Sequence, residues 1–342
     1  VSLKRIVIAL CLALAMGVAA CGGSDDEGGG DSAANQSEGT QAGGKSGPVT
    51  IAFSAPAADH GWMAAITENA EAEAKRLGDV ELITTEGATD SAGQADQIES
   101  LIARKPDALV ILPNEGDALT PVAQKATQAG IPVINVDREF STPGAFRTWI
   151  GGDNYGIGWQ AGNYFADQLK CKGNVVEIQG LAGISVTELR TEGFNDAIER
   201  RCKDGIKVVA RQPADFLPDK GLSVMENILQ ANKQIDAVYT HDDDMAEGVV
   251  SAIENANRQD EMFLTGAGGS KAAMERIQEG GLYRATFLYN PSMSASAIRL
   301  ARLIAREQGL EELAEPEVPS RIQVPATTVT KENAGDLMPL GF

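Results

Sequence analysis

From Val49 onward the chain predicts an α/β fold of two doubly wound lobes, each a parallel sheet covered by helices on both faces. Three observations carry this. Short β-branched runs alternate with helical patterns along the whole body. The strand candidates are apolar throughout rather than on alternate residues, as a sheet buried on both faces requires. A faint internal repeat is also present. Pro106-Asp107-Ala108-Leu109-Val110 matches Ile235-Asp236-Ala237-Val238-Tyr239, and the same shift of 129 positions lays Val133–Asp137 on Met262–Gly266.

In the first series, strands are expected at Val49–Ser54, Val80–Thr84, Ala108–Leu112, Pro132–Val136 and Thr148–Ile150, with helices over 62–77, 92–104 and 117–129. Helix 156–170 leads into the second series, with strands at Asn174–Gln179, Lys207–Arg211, Ala237–Thr240, Met262–Thr265 and Ala285–Leu288. Helices over 187–202, 219–232, 244–257, 270–279 and 292–308 complete it. Gly, Pro or Asp marks most junctions, among them Gly78, Gly130 and Asp153.

Open α/β sheets bind ligands beyond the carboxyl ends of their strands. That rule selects Asp59, His60, Gly61, Trp62 and Met63 after the first strand, and Asp137 and Arg138 after the fourth. In the second series it selects Arg190, Phe216, His241, Asp242, the Gly266-Ala267-Gly268-Gly269 loop, Tyr289 and Asn290. The residue types suit a hydroxylated ligand. Carboxylates and guanidinium forks satisfy hydroxyls that both donate and accept, and flat rings such as Trp62, Phe216 and Tyr289 cover C–H faces. His60 and His241, the only histidines, both fall at strand ends, where a polar contact to ligand is the expected role.

Other classes are set aside by what is missing. There is no Gly-x-Ser-x-Gly elbow and no phosphate-binding loop, and the Gly266–Gly269 loop lacks the glycine pattern of a dinucleotide site. No His or Cys spacing suits zinc. Asp242-Asp243-Asp244 looks like a metal cluster, but acidic residues at a helix start are stabilised by its dipole. No cofactor and no metal is expected.

The first 48 residues point outside the cytoplasm. Lys4 and Arg5 precede an apolar run from Ile6 to Val18, the layout of a secretory signal over residues 1–20. Val18-Ala19-Ala20 before Cys21 resembles the lipobox of bacterial lipoproteins, which implies cleavage there and a lipid on the Cys21 sulfur. Residues 21–48, rich in Gly, Ser, Asp and Glu, read as a flexible tether. Cleavage removes Lys4 and Arg5, so the net charge of −19 becomes −21, an acidic balance that repels nucleic acid. Cys171 and Cys202 remain. In an oxidising compartment such a pair favours a disulfide, two buried thiols being the alternative.

Several segments, in the right order, resemble the ribose-type periplasmic sugar-binding proteins of ABC transporters. They are Ile131–Arg138, Val176–Gly180, Arg190–Phe194, Gln212–Phe216 and His241–Ala246. The resemblance implies the type I periplasmic binding fold, two Rossmann-like lobes joined by three hinge crossovers and closing on a sugar. Matching the hinges places crossovers near Gly151–Asp153, Tyr283–Thr286 and Pro319–Val324. The implied lobes are 49–152 plus 286–319 and 153–285 plus 320–342. By resemblance, Asp137, Arg138, Arg190, Phe216 and Asp242 contact ligand; Trp62, His60, Tyr289 and Gly268 join the expected set by their own chemistry and strand-end positions.

Two departures bear on the ligand. Ribose-type binders carry an Asp where this chain has Gly266–Gly269, and a Gln where it has Tyr289. A hexose, a furanose form or a polyol is therefore expected in place of ribose. Gly61-Trp62 and His241-Asp242-Asp243 resemble the galactofuranose-binding branch. The implied function is capture without catalysis by a monomer held to the membrane only by lipid, serving an ABC permease and its ATPase. A sensing receptor would share the cleft, and a carbohydrate hydrolase would use paired carboxylates such as Asp137 and Asp242.

Overall fold

The computed structural model describes residues 46–310 and 315–342. The expected signal, Cys21 and the tether up to residue 45 lie outside the described residues.

The first half runs β1 (Val49–Ser54), α1 (Gly61–Leu77), β2 (Val80–Thr84), α2 (Ser91–Ala103), β3 (Ala108–Ile111), α3 (Gly116–Gln128), β4 (Val133–Val136) and β5 (Thr148–Gly152). The second runs α4 (Asn154–Gln168), β6 (Gly173–Gln179), α5 (Ser185–Cys202), β7 (Ile206–Pro213), α6 (Pro218–Ala231), β8 (Ala237–Thr240), α7 (Asp243–Asn255), β9 (Phe263–Thr265), α8 (Lys271–Glu279) and β10 (Tyr283–Leu288). Then come α9 (Met293–Ala305), β11 (Arg321–Val324), β12 (Thr327–Val329) and the short α10 (Ala334–Leu337).

Two six-stranded sheets result, ordered β11-β5-β4-β3-β1-β2 and β12-β10-β9-β8-β6-β7. All pairings are parallel except that of β10 with β12. In each sheet the order turns back beside the first strand, so a crevice opens at the strand ends there. Strands β3, β4 and β8 are buried along their whole length, which is why they read as mainly apolar runs, broken only by the buried Asn135 and Thr240. No helix among the described residues is long and apolar enough to cross a membrane.

The chain passes between the sheets three times, after β5, after β10 and between β11 and β12. The first passage lies at Gly152–Asn154. The second and third come later than the resemblance implied. All of Tyr283–Leu288 stays in the second sheet, so residue 286 lies inside a strand rather than at a boundary. Backbone pairing decides this, with Ala285 beside Thr265 of β9 and Leu288 opposite Thr327 of β12. Likewise Arg321–Val324 pairs with β5 and belongs to the first sheet.

Helices α4 and α5 meet through glycine. A side chain at Gly158 would strike the Arg190 carbonyl, and one at Gly193 would strike that of Tyr155, so the two backbones approach closely. This contact sets where Arg190 projects. At the far ends of the same pair, Cys171 and Cys202 form a disulfide with Cα atoms 4.9 Å apart.

That bond closes a separation of 31 residues, which limits the unfolded chain by roughly 3–4 kcal/mol. Cys171→Ser with Cys202→Ser is expected to lower unfolding free energy by about that amount in urea titration of the body. Equal midpoints with and without reductant would show that the bond contributes nothing.

Candidate functional site

Between the lobes lies a pocket of about 340 Å³, counted to its solvent-open mouth. His60, Trp62, Asp137, Arg138, Arg190, Phe216, Asp242, Gly268 and Tyr289 all line it, with Val186 and Ala267. The nine residues expected from the sequence thus share one cavity, fed by the ends of β1, β4, β7, β8, β9 and β10 and by α5.

Asp137 follows β4 in a left-handed conformation, φ 62°. Its N–H donates to the Ile150 carbonyl at 2.9 Å and its carbonyl accepts Trp149 Nε1 at 2.9 Å, which hold it there. Phe216 is likewise at φ 66°, and its ring covers Gly180, where any side chain would strike it. Non-glycine residues held in this region carry strain, and such strain gathers at functional sites.

The polar groups form one directed chain. Arg190 donates from Nε to Asn154 Oδ1 at 2.9 Å and from an Nη to the His241 carbonyl. Asn154 Nδ2 donates to the Tyr289 hydroxyl at 3.1 Å, and that hydroxyl donates to Asp137 Oδ1. The Arg190 guanidinium also lies over the Tyr289 ring, 4.8 Å from its centre. Trp62 stacks on Tyr289 at 5.4 Å and donates from Nε1 to the Tyr289 carbonyl at 2.7 Å. Arg138 donates from Nη1 to the Asn114 carbonyl at 2.6 Å. Its Nε is buried without a hydrogen-bond partner, and Asp137 Oδ2 lies 3.9 Å away. A ligand acceptor at this donor would recover a desolvation cost of about 1–3 kcal/mol.

Charge is held under burial here. Burial raises the Asp137 carboxyl against the opposing pull of Arg138, Tyr289 and Arg190. Burial pushes Asp242 up to about 7, with His60 opposing and Asp244 reinforcing. Burial alone would lower His60, but Asp59, at 2.5 Å from Nδ1, and then Asp242 and Asp244 raise it overall. The His60 ring lies over Phe216 of the other lobe at 5.9 Å.

His241 does not meet the expectation of a ligand contact. Strand alternation turns it away from Asp242, and its imidazole is wholly buried with Nε2 3.0 Å from Glu177 Oε1. Burial lowers its pKa. Glu177 also accepts from Thr191 Oγ1 and Arg211 Nε, each at 2.6 Å, so this cluster supports the floor beneath Arg190. Asp243 is equally committed. It accepts from Tyr283, Thr286 and the Gly269 and Ser270 N–H groups, all at 2.7 Å. Its carboxylate thus anchors the loop that presents Ala267 and Gly268. Asn154 was missed in the sequence, where it looks like one more polar residue beside the cap Asp153.

A family model described as a periplasmic binding protein domain matches residues 51–309. The ribose import binding protein RbsB of Bacillus subtilis is 32% identical over 244 residues, covering 71% of this chain and 77% of that protein. The galactofuranose-binding protein YtfQ of Escherichia coli is 32% identical over 257 residues, 73% and 80% of the two chains. A solved ABC transporter solute-binding protein from Bacillus halodurans, holding myo-inositol, superposes with a TM-score of 0.78 at 27% identity, covering 86% of this chain and 99% of that one.

Asp242 yields a signed expectation. Its folded pKa of about 7 lies above the ordinary 3.8, so protonated Asp242 favours the folded state below about pH 4, and that support is lost as pH rises through 7. It also caps α7 by accepting the Met245 N–H at 2.9 Å, a bond Asn can keep. Asp242→Asn should therefore stabilise the ligand-free protein at pH 8 by on the order of 2 kcal/mol, with the gain shrinking towards pH 4. Melting curves across that range test it, and a pH-independent difference would contradict it.

Proposed function

The chain belongs to the periplasmic binding protein family, and from that premise we propose that it captures a neutral monosaccharide or cyclic polyol between its lobes and passes it unchanged to an ABC importer. The observation that carries this is the composition of the shared pocket. Asp137 and Arg138 come from one lobe and Arg190 and Asp242 from the other, with Trp62, Phe216 and Tyr289 as aromatic walls. Adjacent hydroxyls match such a set because each can donate to a carboxylate while accepting from a guanidinium.

Capture without turnover is part of the proposal. Each of the two carboxylates that would serve hydrolysis has one oxygen engaged, Asp137 Oδ1 by the Tyr289 hydroxyl and Asp242 Oδ1 by the Met245 N–H at the start of α7. The relatives named as a ribose import binding protein and a galactofuranose-binding protein support a sugar ligand. Attachment to the outer membrane face through Cys21, a monomeric state and docking on a permease with its ATPase belong to the same reading. Ligand-induced closure would supply the shape that the permease distinguishes.

A thermal-shift panel of D-ribose, D-galactose and myo-inositol is expected to raise the melting temperature with at least one member, which is recovered intact after incubation. Arg190→Ala and Asp137→Ala should each weaken that binding by at least about 2 kcal/mol, since each strands buried partners. Calorimetry giving wild-type affinity for both variants, or hydrolysis of the sugar, would overturn the reading.

A further inference from the structure

Four of the nine helices α1–α9 carry a side-chain cap from their own sequence. Asp90 accepts Gly93 N–H of α2, Asp153 Gly156 N–H of α4, Asp242 Met245 N–H of α7 and Ser270 Ala273 N–H of α8. Helix α1, which delivers Trp62 to the pocket, does not, and neither do α3, α5, α6 and α9. Its N-cap residue His60 makes no side-chain cap bond, because the imidazole is turned to Asp59. The first-turn N–H groups of a helix have no partner within it and carry partial positive charge.

The partner comes from the other lobe. Asp244 lies in the first turn of α7, and its Oδ2 accepts the Trp62 N–H at 3.3 Å. A side chain at Gly61 would meet Asp244 Oδ2 at 3.0 Å and Oδ1 at 3.2 Å, so any larger residue there makes the carboxylate give way by a few tenths of an ångström. Asp244 does not line the pocket. Its neighbours are otherwise engaged, Asp242 with its own helix and Asp243 with the Gly269–Ser270 backbone. Of the three consecutive carboxylates, this one hydrogen-bonds to backbone across the cleft.

We propose that Asp244 is a cross-cleft cap: closing the lobes seats its carboxylate on the uncapped start of α1 and fixes Trp62 and His60 over the ligand. Asp244 is thus a positioning residue for the sugar capture proposed above. It acts through the Trp62 backbone, and Trp62 in turn braces Tyr289 through their stacked rings and the indole hydrogen bond. Separating the lobes returns both the helix end and the carboxylate to water. Closure therefore gains a capping interaction that the open protein lacks.

The test places one fluorophore on each lobe and combines the interlobe distance with calorimetry, using D-ribose, D-galactose and myo-inositol as probes. Whichever probe binds the wild type should bind Asp244→Ala about five-fold more weakly, through faster dissociation and a larger open fraction. Asp244→Asn should keep most of the affinity, because an amide oxygen also caps. Gly61→Ala should displace the carboxylate and give a comparable loss, and the double variant should lose no more than the single ones. Wild-type closure and affinity in Asp244→Ala, or full additivity of the two losses, would overturn the cap. Ligand-free wild type should also populate the closed form more than Asp244→Ala does. That comparison decides the cap even if none of the three probes binds and the sugar reading falls.

Discussion

Arg190 is the constraint around which the cleft is organised. Its guanidinium is almost fully buried, and it presents a planar fork of donors that all need acceptors. Leaving such a charge unpartnered costs several kcal/mol. The surroundings are therefore acceptors and π-density: the His241 carbonyl, the Asn154 amide oxygen and the Tyr289 face. Asn154 and Tyr289 sit just beyond the first two passages between the sheets, after β5 and β10. Satisfying one charge thus aligns the two hinge residues, and the chain ends on Asp137 in the opposite lobe. Bonds that donate in one direction polarise each other.

The parallel sheets were legible because burial on both faces leaves an unbroken apolar signature, as in Ala-Leu-Val-Ile of β3. The pocket residues were legible for a related reason: in this topology the ends of the strands converge, so position in sequence nearly determines position in space. The later crossovers were not legible. Whether Thr286 belongs to one sheet or the other depends on its pairing with β12, which lies some forty residues further on and has no strong pattern of its own. His241 was misread because residues at a strand end look alike until alternation is counted from Asp242. Asn154 and Asp244 were missed for the converse reason. Their importance lies wholly in partners from distant segments, Tyr289 for one and Trp62 for the other.

The run Asp242-Asp243-Asp244 shows how little residue type alone decides. Asp243 meets four donors and so works as a tie for the Gly269–Ser270 backbone. Asp242 has one backbone donor and a buried pocket wall, which leaves it near the edge of ionisation at neutral pH. Asp244 looks out across the gap at a helix end. All three stabilise the positive start of a helix, as an acidic triplet at that place should, yet only Asp242 does so for its own helix through a side-chain cap.

The balance of charge in the pocket bears on what it can hold. Two guanidinium groups, Arg138 and Arg190, share the pocket with the carboxyls of Asp137 and Asp242, both raised by burial, and with His60, whose pKa Asp59 and Asp242 raise. A guest with many hydroxyls answers donors and acceptors alike. Tyr289 narrows the choice further. Its hydroxyl occupies Asp137 Oδ1, so Oδ2 is the acceptor left on that side, while Arg138 Nε stands beside it as a donor in want of an oxygen. A vicinal pair of hydroxyls, one donating to Oδ2 and its neighbour accepting from Nε, satisfies both at once. Across the pocket, Ala267 and Gly268 offer room and backbone but no carboxylate. On the proposed function, recognition would rest on the Asp137–Arg138 corner and on Arg190, whose hydrogen bonds run through Asn154 and Tyr289 at the passages between the sheets.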